Sequence, residues 1–324
     1  MSIRQHIEDG EKHSLSPHAT LSAHSKGREV PEEPHEFRTA FQRDRDRILH
    51  TKAFRRLGHK TQVFLAPEHD HYRVRLTHTL EVTQIARTIA RALMLNEDLV
   101  EAICLGHDLG HTPFGHLGEE ALSDFLGREF KHNEQSLRIV DHLEKRESGN
   151  GLNLTWEVRD GILNHTWSMP PPSTPEAMVA RFADRIAYIN HDIDDAIRAG
   201  VLTEGDLPES TRSLGASSSQ RIDSLVTSMI RASDGAEVAM EDGLMDVLLE
   251  TRTFLFERVY QRPEVKPEQD RAAALVRGLC EHFAAHPDQI PTESATDDPS
   301  QSLVDWVSGM TDRYAIREFD RIVR

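Results

Sequence analysis

Residues 106–116 read GHDLGHTPFGH: three histidines, one aspartate, three glycines and one proline in eleven positions. The whole chain has 19 histidines in 324 residues, so this density is local. An isolated histidine is most often a solvated surface residue. His107 followed by Asp108 among glycines reads differently, because imidazole nitrogen and carboxylate oxygen together suit a divalent cation such as Mn, Fe, Zn or Mg. Two sequential side chains converge on one ion only at a helix terminus, where Gly106 and Gly110 ease close backbone approach.

Working outward, Val82, Ile85, Ala86, Ile89, Ala90 and Leu93 recur at three and four residues, a helical period. The spacing predicts a helix over 77–95 with Thr77 as N-cap, then a second through EDLVEAICLGHD (97–108). Further helices are predicted at 119–127, 134–146, 155–166, 176–199, 220–232, 237–261 and 267–286, and across the C-terminal fifty residues. No alternating run is long enough to read as a strand, so the chain is mainly α. Loops fall at SMPPPSTP (168–175), TEGDLPES (203–210), GASSS (215–219) and HPDQIPTESATDDPSQ (286–301). Residues 1–35, charged and poor in apolar side chains, are expected to be mobile unless a partner subunit holds them. Residues 36–205 read as the core, and 206–324 as additional C-terminal helices packed on it rather than an independent domain.

Hydrophobic residues make up 38% and charged residues 28% of the chain, enough for a packed core. No stretch approaches the roughly 18–20 uncharged apolar residues of a spanning helix. The N-terminus lacks the apolar centre of a secretory signal and is too acidic for a transit peptide, so a soluble cytoplasmic protein with no membrane partner is expected. A net charge of −16 argues against nucleic acid as the main partner, since phosphate backbones are held by basic surfaces. Locally the balance reverses: from Arg38 to Arg75 there are ten Lys or Arg against four Asp or Glu. That run is either a solvated helix face or a pocket for a compact polyanion. Cys104 and Cys280 form neither a disulfide framework nor a zinc pattern, and read as core residues.

Adjacent His-Asp pairs also occur at His69-Asp70 and His191-Asp192, so the dipeptide alone decides little. Order decides more: His78 in a predicted helix, His107-Asp108 at a helix end, and an aspartate in RFADRIAYINHDIDDAIRAG (181–200). This order resembles the H…HD…D signature of the HD-domain phosphohydrolases, and most closely their dGTPase-like deoxynucleoside triphosphate triphosphohydrolase branch. The resemblance spans most of residues 28–205, through FQRDRDRILHTKAFRRLGHKTQVF, RLTHTLEV, GHDLGHTPFGHLGEEAL, FKHNEQSLRIV, GILNHT and ADRIAYINHDIDDAI. It implies an HD-domain helical fold and a divalent metal held by His78, His107, Asp108 and Asp184, the last because the family's metal aspartate lies four residues before a tyrosine, here Tyr188. Positions 184, 188 and 192 share one helix face, so Asp184, Tyr188 and Asp192 can look into one cavity. Asp194 and Asp195 lie off that stripe and are expected to face solvent.

The same resemblance implies that His111 and His116 face a triphosphate, with His116 the better proton donor. Glu119, three residues beyond His116, is spaced to orient that imidazole or raise its pKa. His132 resembles a further pocket histidine. Arg75 and Arg185 look like phosphate-binding residues, whose guanidinium forks fit phosphate oxygens. Arg56 and Lys60 are either pocket residues or surface charges, and Tyr188 is either the gate that excludes a ribose 2′-OH or a core aromatic. His59, His165 and His191 read as structural or exposed, and Trp167 and Met169 as packing. The implied reaction converts a dNTP, dGTP among the candidates, and water into a deoxynucleoside and inorganic triphosphate. Rival readings are an HD phosphohydrolase acting on another nucleotide or a nucleic-acid end, and a nucleotide-sensing regulator. Family resemblance further implies a homo-oligomer, with regulatory dNTP sites in some members.

Overall fold

Short polar side chains open the helices. Thr39, Thr51, Asn96, Thr174 and Ser217 each accept the backbone N–H of the third residue on, satisfying a donor that the helix leaves unpaired. The computed structural model describes residues 1–62, 73–146, 149–263, 266–291 and 296–323, so the His69-Asp70 pair lies outside the described residues. In chain order the helices are α1 (Ile3–Ser14), α2 (Ala40–Leu49), α3 (Lys52–Arg56), α4 (Arg75–Ala92), α5 (Glu97–Gly106), α6 (His116–Leu126), α7 (His132–Arg138) and α8 (Trp156–Asn164). There follow α9 (Pro175–Arg198), α10 (Glu209–Ser213), α11 (Ser218–Ala232), α12 (Leu244–Leu255), α13 (Lys266–Ala285), α14 (Pro299–Ser308) and α15 (Asp312–Val323). Among the described residues the one sheet is a hairpin of two-residue strands, Lys145–Arg146 and Gly149–Asn150. The mainly α expectation holds.

Boundaries shift where local chemistry overrides periodicity. Helix α4 starts at Arg75, ahead of the predicted Thr77; Thr77 sits in the first turn and accepts the N–H of Val74 at 3.2 Å. Helix α7 ends in a π turn over Ile139–Leu143, and α12 runs into another over Phe256–Tyr260. The helix predicted from 237 begins only at Leu244, after Gly243 in the left-handed region at φ 82°.

Helices α4, α5 and α9 pack together at the centre, with α2 and α8 against α5 and α11 against α9. Their apolar faces form one core that also takes in Leu225, Met229, Leu248 and Leu255 from α11 and α12. A second core joins Phe114, Leu122 and Phe130 to α13, α14 and α15 through Val276, Leu279, Phe283, Leu303 and Val307. Residues 206–324 therefore divide: α11 and α12 complete the first core, and α13–α15 build the second on α6.

The N-terminal 35 residues make polar contacts with the rest of the chain. They carry α1 and are tied down by buried carboxylates rather than apolar area, which composition cannot reveal. Glu11 accepts the N–H and hydroxyl of Ser22, and Glu176 those of Thr20. Glu157 accepts from Ser25 and from the N–H of Lys26, while Arg28 pairs with fully buried Asp44 and donates to the carbonyls of Ala40 and Asn153. Asp44 also accepts the N–H of Thr155 at 2.8 Å.

Asp44→Ala leaves the Arg28 guanidinium buried without its carboxylate, and we expect a loss of about 3–5 kcal/mol in denaturant unfolding. The cleavage rate of residues 1–35 in limited proteolysis should rise with it. An unchanged midpoint would show that the segment contributes nothing to the fold.

Candidate active site

The first turn of α4 and the end of α5 meet the middle of α9, and each contributes donors. His78 and Arg75 come from α4, His107 is the C-cap residue of α5, and Asp184 lies ten residues into α9. Nε2 of His78 is 3.1 Å from Asp184 Oδ1 and 3.9 Å from Asp108 Oδ2. Nε2 of His107 is 3.3 Å from Asp108 Oδ1 and 3.7 Å from Asp184 Oδ1. His78, His107 and Asp108 are buried and offer donor atoms within 4.8 Å of one another, as do His107, His165 and Asp184.

This donor set fits a divalent cation. His107 Nε2 is buried and has no hydrogen-bond partner, although two carboxylates stand beside it. Burial alone lowers the pKa of His107, but Asp108 and Asp184 outweigh it and carry the imidazole up to about 9. That pull on a positive charge is the field a bound cation would experience. Burial works to raise Asp184, yet the neighbouring imidazoles of His107 and His78 hold it well below the usual carboxylate range. The backbone orients His107, whose Nδ1 lies 2.6 Å from the Cys104 carbonyl.

A second cluster shares Asp108. His111 Nε2 is 3.1 Å from Asp108 Oδ1, and its Nδ1 closely contacts Glu119. His116 Nδ1 is 3.5 Å and His132 Nδ1 3.2 Å from Glu119, so one carboxylate gathers three imidazoles. The rings of His111 and His132 stack at 3.8 Å, and His132 reaches His165 at 3.2 Å. Their environments diverge. His111 is buried and pushed down to about 4 by desolvation and the nearby Arg75 and His132. His116 projects into open space, its side chain 79% exposed, and Glu119 raises its pKa.

The remaining predicted residues sort themselves. Arg75 is buried and donates to Asp108 at 3.0 Å, so it pairs with the cluster rather than standing open to a phosphate. Arg185 lies with Arg181 over the Trp167 ring, 4.2 and 4.7 Å from its centroid, so Trp167 braces a cation as well as packing. Tyr188 is half-buried and pushed up to about 12 by desolvation. Asp192 is buried, accepts a hydrogen bond from Tyr260, and is lifted by burial to about 7.

Two basic candidates remain. Lys60 is buried and donates to the carbonyls of His111 and Ser308, so its charge is spent on backbone. Arg56 is exposed and lies by Gly309, between α14 and α15. Asp194 and Asp195, expected to face solvent, pair with Arg73 at 3.4 and 3.0 Å, and Asp195 is buried. His165 and His191 are buried beside the clusters, and neither was singled out from sequence. A signal existed for His191, which lies seven residues after Asp184 and so on the same helix face.

The chain is similar to known proteins over nearly its whole length. Residues 75–189 match the HD domain, and residues 238–321 a phosphohydrolase-associated domain. A deoxyguanosinetriphosphate triphosphohydrolase-like protein of Caldanaerobacter subterraneus subsp. tengcongensis is 52% identical over 99% of this chain and 96% of its own. Proteins of the same description from Desulfatibacillum aliphaticivorans and Clostridium perfringens are 48% and 47% identical, each over 99% of this chain and 98% of their own.

Asp108→Ala and His78→Ala should each weaken Mn²⁺ binding by roughly 100-fold or more, since changes one layer further out already cost about 10–100-fold. Helical content by circular dichroism should survive. Undiminished metal uptake by either variant would remove that residue from the ligand set.

Proposed function

Because the chain belongs to the deoxyguanosinetriphosphate triphosphohydrolase-like family, we propose that this metal-dependent HD-domain phosphohydrolase converts deoxynucleoside triphosphates, dGTP among them, into deoxynucleoside and inorganic triphosphate. One observation carries the reading: Asp108 belongs at once to the His78–His107–Asp184 donor set and to the imidazoles around Glu119. A cation site and a proton-transfer group thus face the same substrate position.

His78, His107, Asp108 and Asp184 would hold the ion, which when bound polarises a phosphoryl oxygen and lowers the pKa of the attacking water. A bond forms from the water oxygen to the α-phosphorus and the bond from phosphorus to O5′ breaks. The leaving alkoxide needs a proton. His116 can deliver it, because Glu119 at Nδ1 holds the ring and keeps it protonated nearer neutral pH. His116 is assigned the acid rather than His111 because it is exposed, whereas His111 lies buried between Asp108 and Glu119. Arg185, braced on Trp167, offers a fork to the phosphate oxygens. Tyr188 stands one turn from Asp184 and one from Asp192, where a rigid ring excludes a 2′-hydroxyl by volume.

Incubation with each dNTP and Mn²⁺, with products resolved by ion exchange, should yield intact triphosphate. Release of diphosphate or monophosphate instead would place cleavage at another bond and overturn the reaction. His116→Ala is expected to keep its metal and lose roughly 10²–10⁴ in kcat. A variant with full turnover would exclude His116 as the acid. Tyr188→Ala should narrow the kcat/KM preference for dGTP over GTP by roughly tenfold, ~1.4 kcal/mol. If both activities persist at the original ratio, the sugar is gated elsewhere.

A further inference from the structure

Of the two histidines facing Asp108 and Asp184, only His107 is oriented by backbone. Nδ1 of His78 lies 3.3 Å from Nδ1 of His191, with the rings edge to face at 88° and 5.5 Å. Nε2 of His191 lies 2.9 Å from Glu81 Oε2, and Glu81 is in turn held by Arg73 at 3.1 Å. Both imidazoles are buried, whereas the Glu81 side chain is 43% exposed.

Proton accounting gives this chain a direction. His78 turns Nε2 toward Asp184 and Asp108, so a cation there requires the lone pair at Nε2 and leaves the proton of the neutral ring on Nδ1. The Nδ1–H must then donate to Nδ1 of His191, which accepts only if the His191 proton sits on Nε2. That second proton points at Glu81, an acceptor with no proton of its own. Reversing His191 would set two N–H groups against each other, or drive the His78 proton to Nε2 and block the cation. The carboxylate therefore selects one tautomer of His191, and His191 selects one tautomer of His78.

We infer that His191 and Glu81 are positioning residues that fix the proton and ring of His78 and thereby set how tightly the site holds its divalent ion. The inference rests on the metal cluster described above. It assigns a task to the His-Asp pair of α9, whose aspartate, Asp192, faces Tyr260 instead. Glu81 follows His78 by three residues on α4, and His191 follows Asp184 by seven on α9, so the relay joins the same two helices that carry those ligands.

The full-length apo-protein is titrated with Mn²⁺, free ion being followed by electron paramagnetic resonance, for the parent chain and for His191→Leu, His191→Gln, Glu81→Gln and Asp108→Ala. His191→Leu removes the acceptor and should weaken Mn²⁺ binding by roughly 10–100-fold. His191→Gln restores an acceptor oxygen and should recover most of that loss. Glu81→Gln, at a half-exposed position that endangers no core, should weaken binding by roughly tenfold, the lower end of the effect for such outer partners. The relay is overturned if His191→Leu and Glu81→Gln bind Mn²⁺ within about twofold of the parent while Asp108→Ala loses it, since an outer partner should cost at least about tenfold. A loss in His191→Leu that His191→Gln does not recover also overturns it, because packing then explains the effect. If Asp108→Ala binds as tightly as the parent, the metal cluster itself fails, a distinct result. Should His191→Leu not fold, Glu81→Gln decides: an affinity within about twofold of the parent rejects the relay.

Discussion

Asp108 is a charge with almost no water around it, its side chain only 5% exposed, and much of the neighbouring structure follows from keeping it ionised. A carboxylate in such a place either takes up a proton or is surrounded by donors. Arg75, His107 and His111 surround it, and despite burial they hold it well below its usual range. Bringing Arg75 in sets a further condition. A Cβ on Gly115 would come within 2.9 Å of the Arg75 guanidinium, and the chain there turns through Phe114 and Gly115 at φ 62° and 58°. The turn ends at His116, the first residue of α6, which places His116 and Glu119 one helical turn apart beside the same aspartate.

The loop carrying these residues is braced from the second core. Asp312, at the start of α15, accepts the N–H of Thr61 at 2.9 Å and that of Phe114 at 3.0 Å. Lys60 bridges the carbonyls of His111 and Ser308, and burial brings it down to about 7. Asp305 on α14 takes a bidentate pair from Arg138 at 2.7 Å and a bond from Gln135, both on α7. Helix α7 in turn holds the HD turn, since Ser136 accepts from Gly110 N–H and donates to the His107 carbonyl. A Cβ at Gly110 would overlap backbone atoms of His132 and Ser136, which is why that position tolerates only hydrogen. The C-terminal helices thus act on the chemistry through the backbone of the loop.

Helical periodicity and capping residues were legible because they are local. The apolar spacing of 82–93 places α4, and Thr174 followed by Pro175 opens α9 within a residue of the predicted start. His78, His107, Asp108 and Asp184 were named from the resemblance to the H…HD…D order; in the structure His78, His107 and Asp108 offer donor atoms within 4.8 Å of one another, and Asp184 does so with His107 and His165. Lys60 and Arg56 were not legible, since a basic residue in a basic run looks the same whether it meets a phosphate, a carbonyl or water. The contacts of the N-terminal segment were not legible for a related reason: its low apolar content says nothing about Glu11, Glu157 and Glu176, whose carboxylates collect its backbone donors.

The sequence by itself determined the helices and the spacing that puts Asp184, Tyr188 and Asp192 on one face, because each depends on residues within a few turns of one another. Tertiary structure alone decided which imidazoles are neutral, which carboxylates stay charged, and which cations remain available. Those properties depend on desolvation and on partners far away in the chain, as with His78 and His191, which are 113 residues apart and 3.3 Å from each other.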